Sequence, residues 1–174
     1  MALTTFQGPI RSLGGMYNQG PATTVALTAD TTIAPADHAG KIILLNNSSL
    51  TITLPEIDAT ADGTTSGPGA DPNTLNNIGI QYNFVFLVDC TLALKCGTTT
   101  PGDIYLGGVV IGKTGAAEFY APNGSSNDVI NTNTTTKGGI AGSTLQVVPI
   151  YANKWQGSGV LFGSGTLETP FADA

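Results

Sequence analysis

Leu50-Thr51-Ile52-Thr53-Leu54 alternates apolar and polar side chains without a break. Successive side chains of a strand point to opposite faces, so Leu50, Ile52 and Leu54 would share one side and the threonines the other. Pro55, which has no N–H to give a ladder, ends the pattern. Short alternating or apolar runs bounded by turn residues predict further strands over 24–28, 41–45, 81–88, 92–95, 104–106, 109–111, 118–120, 144–151 and 159–162. Tyr82 to Val88 becomes apolar on both faces, the pattern of a central strand covered on each side. No helical repeat of apolar positions runs for a useful length, and 23 Gly and 10 Pro punctuate the chain. The expected fold is all-β, a single β-barrel or jelly-roll-like sandwich with an extended N-terminal arm.

Three segments stand apart from this rhythm. Residues 1–22 scatter Phe6, Ile10, Leu13, Met16 and Tyr17 among glycines and prolines, which suits an extended arm whose apolar side chains find pockets on another surface. Ile57 to Pro72 has no apolar anchor and reads as an exposed loop. Residues 166–174 read as a C-terminal tail, which leaves 23–165 as the β-domain.

Charge changes the picture by its scarcity. Asp, Glu, Lys and Arg make up 10% of the chain, against about 25% in a typical soluble domain, and mean hydropathy is +0.15. Thr, Asn, Ser and Gly supply the polarity instead, a composition suited to surfaces that become interfaces. The net charge of -6 comes with no basic cluster, which argues against direct nucleic-acid binding. The first residues lack a signal-peptide pattern and no apolar run approaches a membrane span, so a soluble compartment is expected. Cys90 and Cys96 then read as free, buried thiols.

Candidate chemistry is thin. Gly107-Gly108-Val109-Val110-Ile111-Gly112-Lys113-Thr114 satisfies the P-loop formula, but its β-branched centre favours a strand and Gly115 to Pro122 cannot supply the helix that follows a phosphate loop. His38 is the one histidine, beside Asp37, and reads as a surface or turn residue. Asp58, Asp62 and Asp71 could meet over a calcium ion, although their spacing misses the alternate positions of a calcium loop. Asn46, Asn47, Asn123 and Asn133 each begin an N-x-[ST] triplet, which this Asn- and Thr-rich composition produces by itself. Trp155 reads as a core anchor, with a sugar-stacking platform as the alternative. Neither catalytic residue nor cofactor is expected.

The stretch Thr28-Ala29-Asp30 to Pro55, containing Ala36-Asp37-His38-Ala39-Gly40-Lys41-Ile42-Ile43-Leu44-Leu45-Asn46 and Thr51-Ile52-Thr53-Leu54-Pro55, resembles a pattern in small structural proteins of tailed bacteriophages. Gly79 to Phe84 is similar to the next strand of that pattern, and Tyr151 to Gly159 to its terminal Trp hairpin. The resemblance implies a head decoration (cement) subunit on the capsid surface of the virion, a homotrimer partnered by the major capsid protein. Under that reading Phe6, Ile10, Arg11, Leu13, Met16 and Tyr17 form the capsid or subunit interface. The rival within the same resemblance is a tail-fibre or receptor-binding tip whose loops, 58–71 and 123–133, recognise a host surface glycan.

Overall fold

In the computed structural model, residues 23–57, 77–97 and 102–174 are described. The first half of the chain forms β1 (Thr24–Leu27), β2 (Thr31–Thr32), α1 (Pro35–His38), β3 (Ile42–Leu45), β4 (Ser49–Thr53), β5 (Tyr82–Phe86) and β6 (Thr91–Lys95). These strands alternate between two sheets: β1, β3 and β5 run parallel in one, and β2, β4 and β6 run parallel in the other. The chain therefore winds like a flattened solenoid, each turn giving one strand to each sheet. Parallel neighbours arise because the return path runs through the opposite sheet rather than through a crossover helix.

The second half adds β7 (Ile104–Lys113), β8 (Ala116–Tyr120), β9 (Val129–Asn131), β10 (Thr144–Tyr151), β11 (Lys154–Phe162) and β12 (Phe171–Ala172). The large sheet has seven strands in the order β1-β3-β5-β10-β11-β7-β8, and the small sheet five in the order β12-β9-β6-β4-β2. They face each other as a sandwich and do not close into a barrel. Both sheets are mixed, a topology that the strand pattern alone does not reveal.

The core lies between the sheets. Ile43, Phe84, Leu145 and Val109 point inward from the large sheet, opposite Leu50, Ile52, Leu92, Leu94 and Ile130 of the small one. Strict alternation of the T-h-T-h pattern is what places Leu50 and Ile52 there. Trp155 is fully buried with its ring 6.0 Å from that of Tyr82, so the anchor reading of the indole holds and the sugar-platform alternative is excluded. Cys90 and Cys96 are free and buried.

Several details differ from the sequence reading. Residues 104–106 and 109–111 belong to one strand, because Gly107 passes at φ 91° against the Gly157 carbonyl, where a side chain would collide. β2, β9 and β12 span two or three residues each, too short for periodicity to announce. His38 does sit in a turn, the single-turn α1, but its side chain is buried, with Nδ1 3.1 Å from the Ala34 N. Residues 166–174 are integral to the domain rather than a tail: Leu167 and Phe171 enter the core, and Phe171–Ala172 pairs with β9. β5 occupies the interior of the large sheet as expected, yet only its inner side chains are fully buried, since Asn83 and Val85 on the outer face are partly buried.

Candidate functional site

The register of the large sheet lines up its outward side chains. Leu44 pairs with Val85, Val85 with Thr144, Thr144 with Val160, Val160 with Val110, and Val110 with Phe119. This row crosses the outer face from β3 to β8 and is apolar at every position but Thr144. Phe119 is 66% exposed and Val160 45%. The adjacent row, Ile42, Asn83, Gln146, Ser158 and Gly108, is uncharged as well. Neither row contains an Asp, Glu, Lys or Arg. The Phe119 ring lies over Gly108, whose missing side chain makes room for it.

A shallow groove of about 520 Å³ opens between the rows, lined by Ile42, Asn83, Val85, Thr144, Gln146 and Ser158 among others. Gln146 Nε2 donates to Asn83 Oδ1 at 2.8 Å, so the groove floor already has internal hydrogen bonds. Contiguous exposed apolar surface is uncommon on a monomer and marks a place where something binds. The small sheet presents a different chemistry outward: Ser49, Thr51, Thr91, Asn131, Asn133 and Lys137 border a polar groove of about 390 Å³. The large sheet thus carries an apolar row and an uncharged polar row side by side on its outer face, and the small sheet a hydroxyl- and amide-rich groove.

The motifs singled out in the sequence resolve as structural parts. Residues 107–113 of the P-loop match lie in β7, between β11 and β8, with their backbone engaged in strand pairing instead of curled around an anion. Lys113 Nζ donates to the Gly165 carbonyl. Asp103, 1% exposed, accepts from Trp155 Nε1 at 3.1 Å, and burial raises its pKa, the neighbouring Glu56 adding to the shift. Burial likewise pushes the Cys90 thiol up to about 11 and that of Cys96 higher still. Among the described residues, no three His, Cys, Asp or Glu side chains gather as metal ligands, and no helix is long and apolar enough to cross a membrane.

Phe6, Ile10, Arg11, Leu13, Met16 and Tyr17 lie outside the described residues, as do Asp58, Asp62 and Asp71. Of the two loops named for a glycan, 123–133 is described and tightly bound: Asn123 Oδ1 accepts from the N–H groups of Ser125, Ser126 and Asn127. Asn127 Nδ2 in turn donates to Asp173 Oδ1 at 2.9 Å.

No family model, curated protein or solved structure matches the chain.

The apolar face was not named from sequence, although a signal for it exists. Ile42-Ile43-Leu44-Leu45 and Val109-Val110-Ile111 are apolar without alternation, as is Phe84 to Val88. A strand with one face in the core and the other in water alternates, so each unbroken run carries surplus apolar side chains that must point outward. Only the register shows that these surpluses align.

Proposed function

We propose that the protein is a structural subunit of a virion, a capsid decoration (cement) protein that binds the outer head surface. The observation that carries this reading is the apolar row from Leu44 to Phe119 on the outer face of the large sheet, with an uncharged row beside it, in a chain whose charge content is 10%. Interface cores are depleted in charge, and burial of apolar area yields about 25 cal/mol per Å². Repeated over many copies on a particle, modest contacts would add up to a substantial resistance to internal pressure. The sequence resemblance to small structural proteins of tailed phages supports the same class. In this reading the subunits are homotrimers, the partner is the major capsid protein, and the arm residues Phe6, Ile10, Arg11, Leu13, Met16 and Tyr17 supply contacts. No residue performs chemistry.

The test is binding to expanded capsids by the full chain and by a variant with Phe6, Ile10, Leu13, Met16 and Tyr17 changed to Ser. Reduced occupancy by the variant, with an unchanged thermal transition, is expected; equal occupancy overturns the role of the arm, and no binding by either chain overturns the decoration reading.

The polar groove beside Thr51, Thr91, Asn131 and Lys137 favours a second reading, a receptor-binding tip that recognises a glycan through hydroxyl and amide contacts. Glycan-array binding lost on Asn131→Ala would promote it.

A further inference from the structure

The four sheet edges of the sandwich are not alike. β2 and β12 are two residues long and β1 is four, and a short edge is an ordinary protection against pairing with another chain. β8, the last strand of the large sheet, is five residues long, and 116–121 holds no Lys, Arg or Pro and one charge, that of Glu118. Ala116, Ala117, Glu118 and Phe119 are exposed and Tyr120 is partly buried, so among the described residues this edge is uncovered.

The hairpin fixes which backbone groups the edge offers. Lys113 pairs with Ala116 across the two-residue turn of Thr114 and Gly115, which makes it the hydrogen-bonded closing pair. Alternation then turns the N–H and C=O groups of Ala116, Glu118 and Tyr120 toward β7 and those of Ala117 and Phe119 outward, with Ala121 next in the same series. The Tyr120 carbonyl oxygen lies 2.7 Å from where a side chain on Gly108 would start, on the β7 side, as this alternation requires.

Two copies of β8 related by a twofold axis pair antiparallel, with one residue opposite itself. Centring on Glu118 sets carboxylate against carboxylate, which is unfavourable. Centring on Ala117 spends Phe119 on Gly115 of the turn, and centring on Tyr120 brings Ala117 against Asn123, whose N–H already donates to Asn127 Oδ1 at 2.8 Å. Centring on Phe119 avoids all three. It joins outward groups to outward groups, sets Ala117 opposite Ala121, and puts the Tyr120 hydroxyl of the second copy opposite each Glu118. Tyr120 OH already donates to Glu118 Oε2 at 2.7 Å within the chain, so the two side chains are compatible neighbours. The same register brings the apolar row that ends at Phe119 end to end with the row of the other copy.

We propose that β8 is a docking edge for a second copy of this chain, paired antiparallel about a twofold axis at Phe119 so that two seven-stranded sheets become one. The contact does not rest on the decoration reading: capsid occupancy tests that, and cross-linking of the free chain tests this. It is also separate from the threefold contact of a homotrimer, and on a particle it would join one trimer to the next.

Disulfide formation reads the register. Glu118 and Tyr120 of opposite copies would form a non-hydrogen-bonded pair with Cα atoms about 4.5 Å apart, within reach of a disulfide. Glu118 and its own counterpart would be diagonal neighbours about 7–8 Å apart, beyond that reach. Full-length Glu118→Cys and Tyr120→Cys chains are treated with a mild disulfide-forming oxidant, separately and mixed, and run on a non-reducing denaturing gel; Cys90 and Cys96 are buried. The expected result is a covalent dimer in the mixture and none in either chain alone. Adding Phe119→Lys to both chains sets two ammonium groups opposite each other and should abolish the dimer with an unchanged circular dichroism spectrum, because Phe119 is 66% exposed. Cross-linking of Glu118→Cys alone as readily as the mixture, no dimer in any sample, or a dimer that survives Phe119→Lys would each overturn the proposal.

Discussion

The indole N–H of Trp155 donates to Oδ2 of Asp103 across 3.1 Å, and both side chains are withdrawn from solvent. Asp103 immediately precedes β7 and Trp155 lies in β11, the strand paired with it, so this bond ties the start of one strand to its neighbour. Burial, more than any other influence, raises the pKa of Asp103, while the indole hydrogen bond opposes the rise. The folded chain therefore holds this proton more tightly than the unfolded chain does. The resulting stability is fully present below an unfolded pKa of about 3.9 and is lost as pH climbs through the folded value. Asp103→Asn keeps an acceptor for Trp155 and removes the ionisation, so its stability relative to wild type should improve as pH rises from 4 upward. Asp103→Ala should cost about 1–3 kcal/mol by leaving the indole unpaired. Urea unfolding followed by the emission of the sole tryptophan, repeated across pH, checks both; a wild-type-minus-Asn difference that does not vary with pH contradicts the first.

Gly139 adopts φ 103°, and a side chain there would meet the Cys90 carbonyl oxygen at 2.5 Å and Thr132 Oγ1 at 2.6 Å. Those atoms are already in use, since Thr132 Oγ1 donates to Cys90 O at 2.7 Å and accepts from Leu92 N at 2.8 Å. Gly139→Ala should destabilise the domain by about 2–4 kcal/mol, combining backbone strain with disturbed buried hydrogen bonds. Gly124 shares a positive φ, 75°, but has open space around it. Gly124→Ala should cost about 1 kcal/mol, the conformational penalty alone. Denaturation midpoints that fall equally for the two variants would show that the close approach at Gly139 is unimportant.

Tyr82 is fully buried, and its hydroxyl has no hydrogen-bond partner among the described residues. Burial pushes its pKa up to about 12. Tyr82→Phe preserves the ring against Trp155 and removes a polar group that folding strips of water. Stability should be unchanged or rise by about 1 kcal/mol; a loss larger than that in urea unfolding would mean the hydroxyl has a partner.

Both cysteines are free and withdrawn from solvent, and their raised pKa values keep the thiolate scarce at neutral and mildly alkaline pH. Native protein should react slowly with a thiol reagent at pH 8, and both thiols should titrate promptly after unfolding in urea. Rapid modification of the folded chain would show that one of them is accessible.

Lys113 contacts the Gly165 carbonyl from the end of β7. Lys113→Ala should leave ATP-analogue binding at the same background level as wild type in a fluorescence titration. Tight binding that disappears in the variant would establish a phosphate site despite the strand geometry.

Much of the β-architecture was legible because strands carry their period in the sequence. Leu50 to Leu54, Thr144 to Tyr151 and the inward anchor Trp155 follow from alternation and from the large area an indole buries. Local pattern also anticipated that residues 107–114 would not form a phosphate loop, since β-branched side chains favour extended backbone. β2, β9 and β12 were illegible because a run of two or three residues has no period, and their existence depends on edges offered by strands already folded.

The sequence by itself therefore determined the class of structure, the inward faces, the burial of both thiols and the scarcity of charge, all of which are set by residue chemistry at short range. Tertiary structure alone decided the order and direction of strands, and with them the candidate site. Leu44 and Val85 are far apart in the chain, as are Val160 and Phe119, and each is only a surplus apolar side chain on its own strand. Pairing register, set by backbone hydrogen bonds between distant segments, is what turns them into one uncharged row across the large sheet.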